Sequence, residues 1–160
     1  LFRFQSKLTP LAVLSHMLGN EENFILIPGV EFALAKLFDQ YNRLKSPGDY
    51  YAYGGQPFAV FYPGMEKFIP TMSLICLAAI LDDALAEYIG AKNLGSASCF
   101  SDRINKLNNL GLLKDAQRLH DLRELRNSCA HEPDRFICWS EFEGSFSDAK
   151  AELAHLGIVA

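Results

Sequence analysis

The chain is short of cysteine, of long apolar runs and of cationic excess, and each shortage removes a class of protein. It has four cysteines, Cys76, Cys99, Cys129 and Cys138, in 160 residues. None stands in a Cys-x-x-Cys pair, and His16, His120, His131 and His155 complete no finger-like spacing with them. A disulfide scaffold is usually smaller and denser in cysteine, and a zinc module needs paired ligands. The expectation is reduced thiols, mostly packed in a core, in a cytoplasmic protein with no metal or other cofactor. The most apolar stretch, Met72 to Leu81, is halted by Asp82 and Asp83. Taken alone it is too short to cross a bilayer, so it reads as a buried helix of a soluble fold with no membrane partner. No secretory leader is visible at the amino end.

Lys and Arg number 15 against 19 Asp and Glu, for a formal charge of −4 and a sequence pI of about 5.5. This balance argues against a surface that attracts nucleic acid everywhere, and leaves room for a local cationic pocket assembled from two copies. What is present is ordinary for a globular protein: 49% hydrophobic and 21% charged residues, spread along the whole length. The length suits a single domain that buries a core without staples.

The apolar spacing is helical throughout. Thr9-Pro10 opens a short helix to about Leu18, and Pro28 opens another through Val30, Ala33, Leu34, Leu37, Phe38 and Tyr41. Ser46-Pro47-Gly48-Asp49 stops it. Residues 47 to 64 are the least regular: Tyr50, Tyr51, Tyr53, Phe58, Phe61 and Tyr62 alternate with Gly and Pro. Such rings can stack on bases, but sealing one end of a helical core is the simpler use. A short strand near residues 59 to 62 has no evident partner. A central helix is expected from about Pro70 to Ile89, the next after Ser98 or Ser101 as cap, with Ile104, Leu107 and Leu110 inward and Gly111 at its end. Lys114 to Ala130 follows, with Leu119, Leu122, Leu125 and Cys129 inward, stopped by Pro133. An aromatic passage from Phe136 to Phe142 precedes a last helix from Ser147 to Leu156. The fold class is all-α.

Chemistry concentrates in Arg126-Asn127-Ser128-Cys129-Ala130-His131. Residues four apart share a helix face, so Arg123, Asn127 and His131 form one polar stripe, with Arg126 about 100° round from Asn127. An imidazole exchanges protons at neutral pH, and a guanidinium forks onto phosphate oxygens. An asparagine fixes either the ring or the substrate backbone. With an RNA 2′-hydroxyl as nucleophile, no protein nucleophile or metal is needed. One such set is sparse, and two sets meeting across a two-fold axis supply an acid, a base and a doubled clamp. The plain alternative is electrostatic: cations in the last turn of a helix meet the negative end of its dipole. Spacing alone favours that alternative, because Arg-x-x-x-x-His is a loose pattern.

The longer context adds a resemblance. Phe100-Ser-Asp-Arg-Ile-Asn-Lys-Leu-Asn-Asn-Leu-Gly-Leu-Leu113, followed by Leu122-Arg-Glu-Leu-Arg-Asn-Ser-Cys-Ala-His-Glu-Pro133, resembles HEPN-domain proteins. In that superfamily a helix ends in an arginine, a polar residue, three more residues and a histidine, positions matched here by Arg126, Asn127 and His131. The resemblance covers residues 65 to 156 of one helical domain, with residues 1 to 64 as an amino-terminal helical and loop extension. Cys129 departs from it, since bulkier apolar residues are common there. It implies a helical bundle that dimerises through its motif helices. In many members it also implies a metal-independent endoribonuclease of toxin–antitoxin, phage-defence or RNA-processing systems. On that analogy His131 is the acid–base residue, Arg126 the phosphate clamp and Asn127 its support, with Arg123 and Arg135 as substrate-binding residues and RNA as substrate. Other members, including mannitol-repressor-like proteins, are non-catalytic binding or regulatory modules, and fold alone does not choose between them. The partners implied are a second copy and an antitoxin or another protein. A third reading, a thiol enzyme using Cys129 with His131, suffers because residues two apart lie on opposed sides of a helix.

Overall fold

The computed structural model shows five helices among the residues it describes, 27–45, 65–132 and 134–160. They are α1 (Pro28–Lys45), α2 (Met65–Ala91), α3 (Phe100–Asn109), α4 (Ala116–His131) and α5 (Trp139–His155). No strand occurs among the described residues, so the fold is all-α. The expected helix near residues 10 to 18, the aromatic loop and the strand near 59 to 62 lie outside the described residues.

Helix α2 is the centre, and all four other helices pack against it. Leu74, Leu77, Ala78, Leu81, Ala84 and Leu85 have no exposed surface, which fits a helix enclosed by neighbours on most of its circumference. It begins five residues before the expected start, so that Pro70 lies inside it. At its carboxyl end Asn93 adopts φ 53°, a left-handed residue that closes the helix, while the amide of Leu94 donates to the carbonyl of Ile89. The stretch Lys67–Ala91 is long and apolar enough, by length and composition only, to cross a membrane, with mean hydropathy 1.7. The ten-residue run seen in the sequence understated it. Rather more than half of the span is buried against the other helices.

Two further boundaries differ from expectation. Neither Ser98 nor Ser101 caps α3: Cys99 holds that position, and the Ser98 hydroxyl donates to the Asp102 carboxylate. Helix α5 starts at Trp139 rather than Ser147. Cys138 caps it, and the Glu141 side chain accepts from the Cys138 backbone N–H at 2.8 Å. Once α5 begins there, Phe142, Ala149 and Leu153 become one buried face, with Phe146 packed beside it.

Helices α1 and α5 run antiparallel. The Ile27 amide donates to the Ile158 carbonyl at one end, and at the other the Tyr41 hydroxyl donates to Glu143 Oε1 at 2.9 Å. Between them Phe38 and Phe146 stack with centroids 4.7 Å apart, and Tyr41 leans on Phe142 at 4.4 Å. Burial, with the acceptor Glu143 beside it, pushes the Tyr41 phenol above its ordinary range. Val30, Leu34, Leu37 and Tyr41 of α1 thus share one hydrophobic core with α2 to α5.

Candidate functional site

Helix α4 presents its chemistry because of how its two ends are held. At the amino end Asp115 is the cap and accepts from the Arg118 amide. Glu152 of α5, only 3% exposed, accepts from the amides of Lys114 and Asp115 at 3.1 and 3.0 Å. Two orphan N–H groups ahead of the helix are thereby satisfied by one carboxylate. Arg118 pairs with Asp115 and with Asp148 of α5, and these acids raise its pKa above the usual arginine value. His120 Nε2 lies 3.1 Å from Asn105 Oδ1 of α3. At the carboxyl end the chain leaves His131 and returns to the core at Ile137, whose N–H donates to the Thr71 hydroxyl of α2 at 3.1 Å. Thr71 in turn donates to the Lys67 carbonyl at 2.7 Å. The segment that follows His131 is therefore anchored at Ile137 to the amino-terminal half of α2.

The buried stripe of α4 starts with Leu119 and Leu122, and Arg126 comes next on that side, at four residues from Leu122. Arg126 is half-buried and donates from Nη1 to Asn127 Oδ1 at 2.9 Å. Arg123 donates to Glu124 at 3.1 Å, and its Nε is buried with no hydrogen-bond partner among the described residues. Arg135 is exposed, with Nη2 4.0 Å from Glu141 Oε1. Among the described residues, Arg126 is the one arginine of α4 without a carboxylate partner. His131 is exposed in the last turn, one turn beyond Asn127. Five residues separate Arg126 from His131, which is about 140° of rotation and about 7.5 Å along the axis. Within a single chain the arginine and the histidine thus project in different directions.

Cys129 is half-buried against the core, whereas Cys76, Cys99 and Cys138 are exposed, so the thiols are not mostly packed as the sequence suggested. Burial pushes the Cys129 thiol pKa up, opposed by Arg135 and assisted by Glu141 and Glu132. A raised thiol pKa disfavours the nucleophilic thiolate, which adds to the unfavourable spacing of Cys129 and His131 on the helix. No cluster of three or more metal-ligating side chains occurs among the described residues.

Two partnerships escaped the sequence. Glu141 confronts Arg135, and its signal was the reciprocal cap at Cys138, disguised because cysteine stands where serine or threonine is usual. Asp82 of α2 braces Arg103 of α3.

No family model, curated protein or solved structure matches this chain.

Proposed function

We propose that this chain is a metal-independent endoribonuclease of HEPN type, acting as a homodimer in which two α4 ends form one composite site. The observation that carries the reading is Arg126. It is steered by Asn127, uncommitted to any described carboxylate, and set one to two turns from an exposed His131.

The chemistry follows from those groups. Arg126, its guanidinium held by the Asn127 carbonyl, forks onto the non-bridging oxygens of a phosphodiester, where charge grows in the transition state. One His131 accepts the proton of the RNA 2′-hydroxyl as the 2′-oxygen bonds to phosphorus. The His131 of the second copy, protonated, donates to the departing 5′-oxygen as its bond to phosphorus breaks. The products are a 2′,3′-cyclic phosphate and a 5′-hydroxyl, and the two imidazoles have exchanged protonation states. Because Arg126 and His131 diverge within one chain, this division of labour calls for groups from two chains. Arg123, with its unpartnered Nε, and Arg135 flank the site as substrate-binding cations. A toxin or phage-defence role beside an antitoxin, and a cytoplasmic location, fit this activity.

The same divergence, with a net charge of −4, suits the second reading, a non-catalytic regulatory module. The test is cleavage of a mixed structured RNA in EDTA by the wild type beside His131→Ala. Cleavage by the wild type alone, leaving 2′,3′-cyclic phosphate ends, is the expected result. Equal cleavage by both removes His131 from the mechanism, and cleavage by neither transfers the assignment to the regulatory module.

A further inference from the structure

The aromatic passage between α4 and α5 divides at its first residue. Trp139 and Phe142 lean on Tyr41, with ring centroids 5.3 and 4.4 Å away, and so belong to the cluster between α1 and α5. Phe136, three residues before Trp139, stays outside that cluster and is 40% exposed. Among the described residues no aromatic ring packs on it and no cation covers its face. The exposed Phe32 differs in this respect, because Lys36 Nζ of its own helix lies 5.3 Å over its ring.

The bonds on either side of Phe136 hold it in that position. Ile137 is 1% exposed, and its amide donates to the buried Thr71 hydroxyl at 3.1 Å. Successive side chains of an extended segment point to opposite sides, so seating Ile137 in the core turns Phe136 out to solvent. On the other side the Arg135 amide donates to the Glu132 carbonyl at 3.0 Å. That bond brings the Cα atoms of Glu132 and Arg135 within about 7 Å of each other, and Glu132 directly follows His131. The ring is therefore presented beside the end of α4 on a backbone pinned at both neighbours. A ring held in place in advance meets a flat ligand with little ordering cost.

We propose that Phe136 is the platform on which a nucleobase of the RNA stacks, the base of a nucleotide flanking the phosphate cleaved at His131. This platform rests on the endoribonuclease reading and supplies an attraction that the nearby cations do not. Arg135 stands beside two exposed acids, Glu132 and Asp134, and lies 4.0 Å from Glu141. The pull of this segment on phosphate is thereby offset, whereas stacking uses a π face that every base has. The ring also names the substrate class. Bases of a duplex are stacked inside it, and those of single strands, loops and bulges are free to splay onto an aromatic side chain. Phe136 thus directs the site to unpaired nucleotides.

Fluorescence anisotropy on the full chain tests this with a short single-stranded 2′-O-methyl RNA of mixed sequence, which lacks the nucleophile and stays intact. Phe136→Ala is expected to bind it about 5- to 150-fold more weakly than the wild type. Phe136→Leu, which keeps apolar bulk without a π face, is expected to lose as much, and Phe136→Trp to keep wild-type binding. Thermal unfolding followed by circular dichroism is expected to stay unchanged in all three. An abasic strand of the same length is expected to bind the wild type and Phe136→Ala equally, and a duplex to bind the wild type more weakly than the single strand. Wild-type binding by Phe136→Ala or Phe136→Leu overturns the proposal. So does an equal loss on the abasic strand, which makes the ring a support for Arg135, and so does a wild type that binds no single strand. RNA cleavage is read separately. Loss of binding in Phe136→Ala beside a wild type that cleaves nothing keeps the platform and removes the nuclease reading. An active wild type whose binding survives Phe136→Ala keeps the nuclease reading and removes the platform.

Discussion

From Asp115 to Leu122, α4 is tied to other helices; from Arg123 to His131 its side-chain hydrogen bonds run along itself. The first half has the Glu152 carboxylate ahead of its amino terminus, Arg118 on Asp148, His120 against Asn105, and Leu119 and Leu122 in the core. The second half has Arg123 on the adjacent Glu124 and Arg126 on the adjacent Asn127, with His131 exposed. One helix thus joins an anchor to a display. The anchor is rigid because tertiary partners satisfy its polar groups, and the display keeps polar groups available for a ligand that meets its charge.

Substitutions at the two halves should therefore separate activity from stability. The largest expected effect is at the display: His131→Ala and Arg126→Ala each lower RNA cleavage by about 10²-fold or more. Thermal unfolding of His131→Ala should stay close to that of the wild type, and a parallel loss of activity and melting temperature in that variant would erase the distinction. At the anchor, Leu119→Ala removes a side chain with no exposed surface and should cost about 2–5 kcal/mol in denaturant unfolding. Glu152→Gln comes next. An amide has one acceptor oxygen where the carboxylate offers two, so one of the Lys114 and Asp115 amides loses its acceptor, at about 1–3 kcal/mol.

The smallest effect concerns pH. The backbone N–H of Cys138 holds the Glu141 carboxyl below the ordinary glutamate range, with Arg135 contributing less. A lowered folded-state pKa stabilises above the unfolded value and is lost as pH falls through the folded one. Stability should decline through the acid range below the usual glutamate pKa, and Glu141→Gln should flatten that decline when melting is followed against pH. An unchanged acid profile in this variant would mean that the cap at Cys138 does not govern the start of α5.

The gathering of Arg126, Asn127 and His131 near the carboxyl end of α4 could be read because these residues are close in sequence and lie on one helix. The central role of α2 could be read for a similar reason, since Leu74, Leu77, Leu81 and Leu85 repeat at helical intervals. The start of α5 was not legible. Its cap is a cysteine, where serine or threonine is the usual signal. The extra turn of α2 ahead of Pro70 was hidden because a proline reads as a helix start when it stands alone.

By itself the sequence determined the all-α class, the leucine stripe of α2, the burial of Ile104 and Leu107 on α3 though not of Leu110, and the grouping of Arg126, Asn127 and His131 at one helix end. These depend on spacing along a single helix, which 3.6 residues per turn dictates. Only the tertiary structure decided that Arg126 has no carboxylate partner among the described residues while Arg118 has two, that Cys129 is half-buried, and that Phe68 and Met72 of α2 are exposed. Each of those depends on which side chains from distant segments arrive at the same place, and that is a property of the packed bundle.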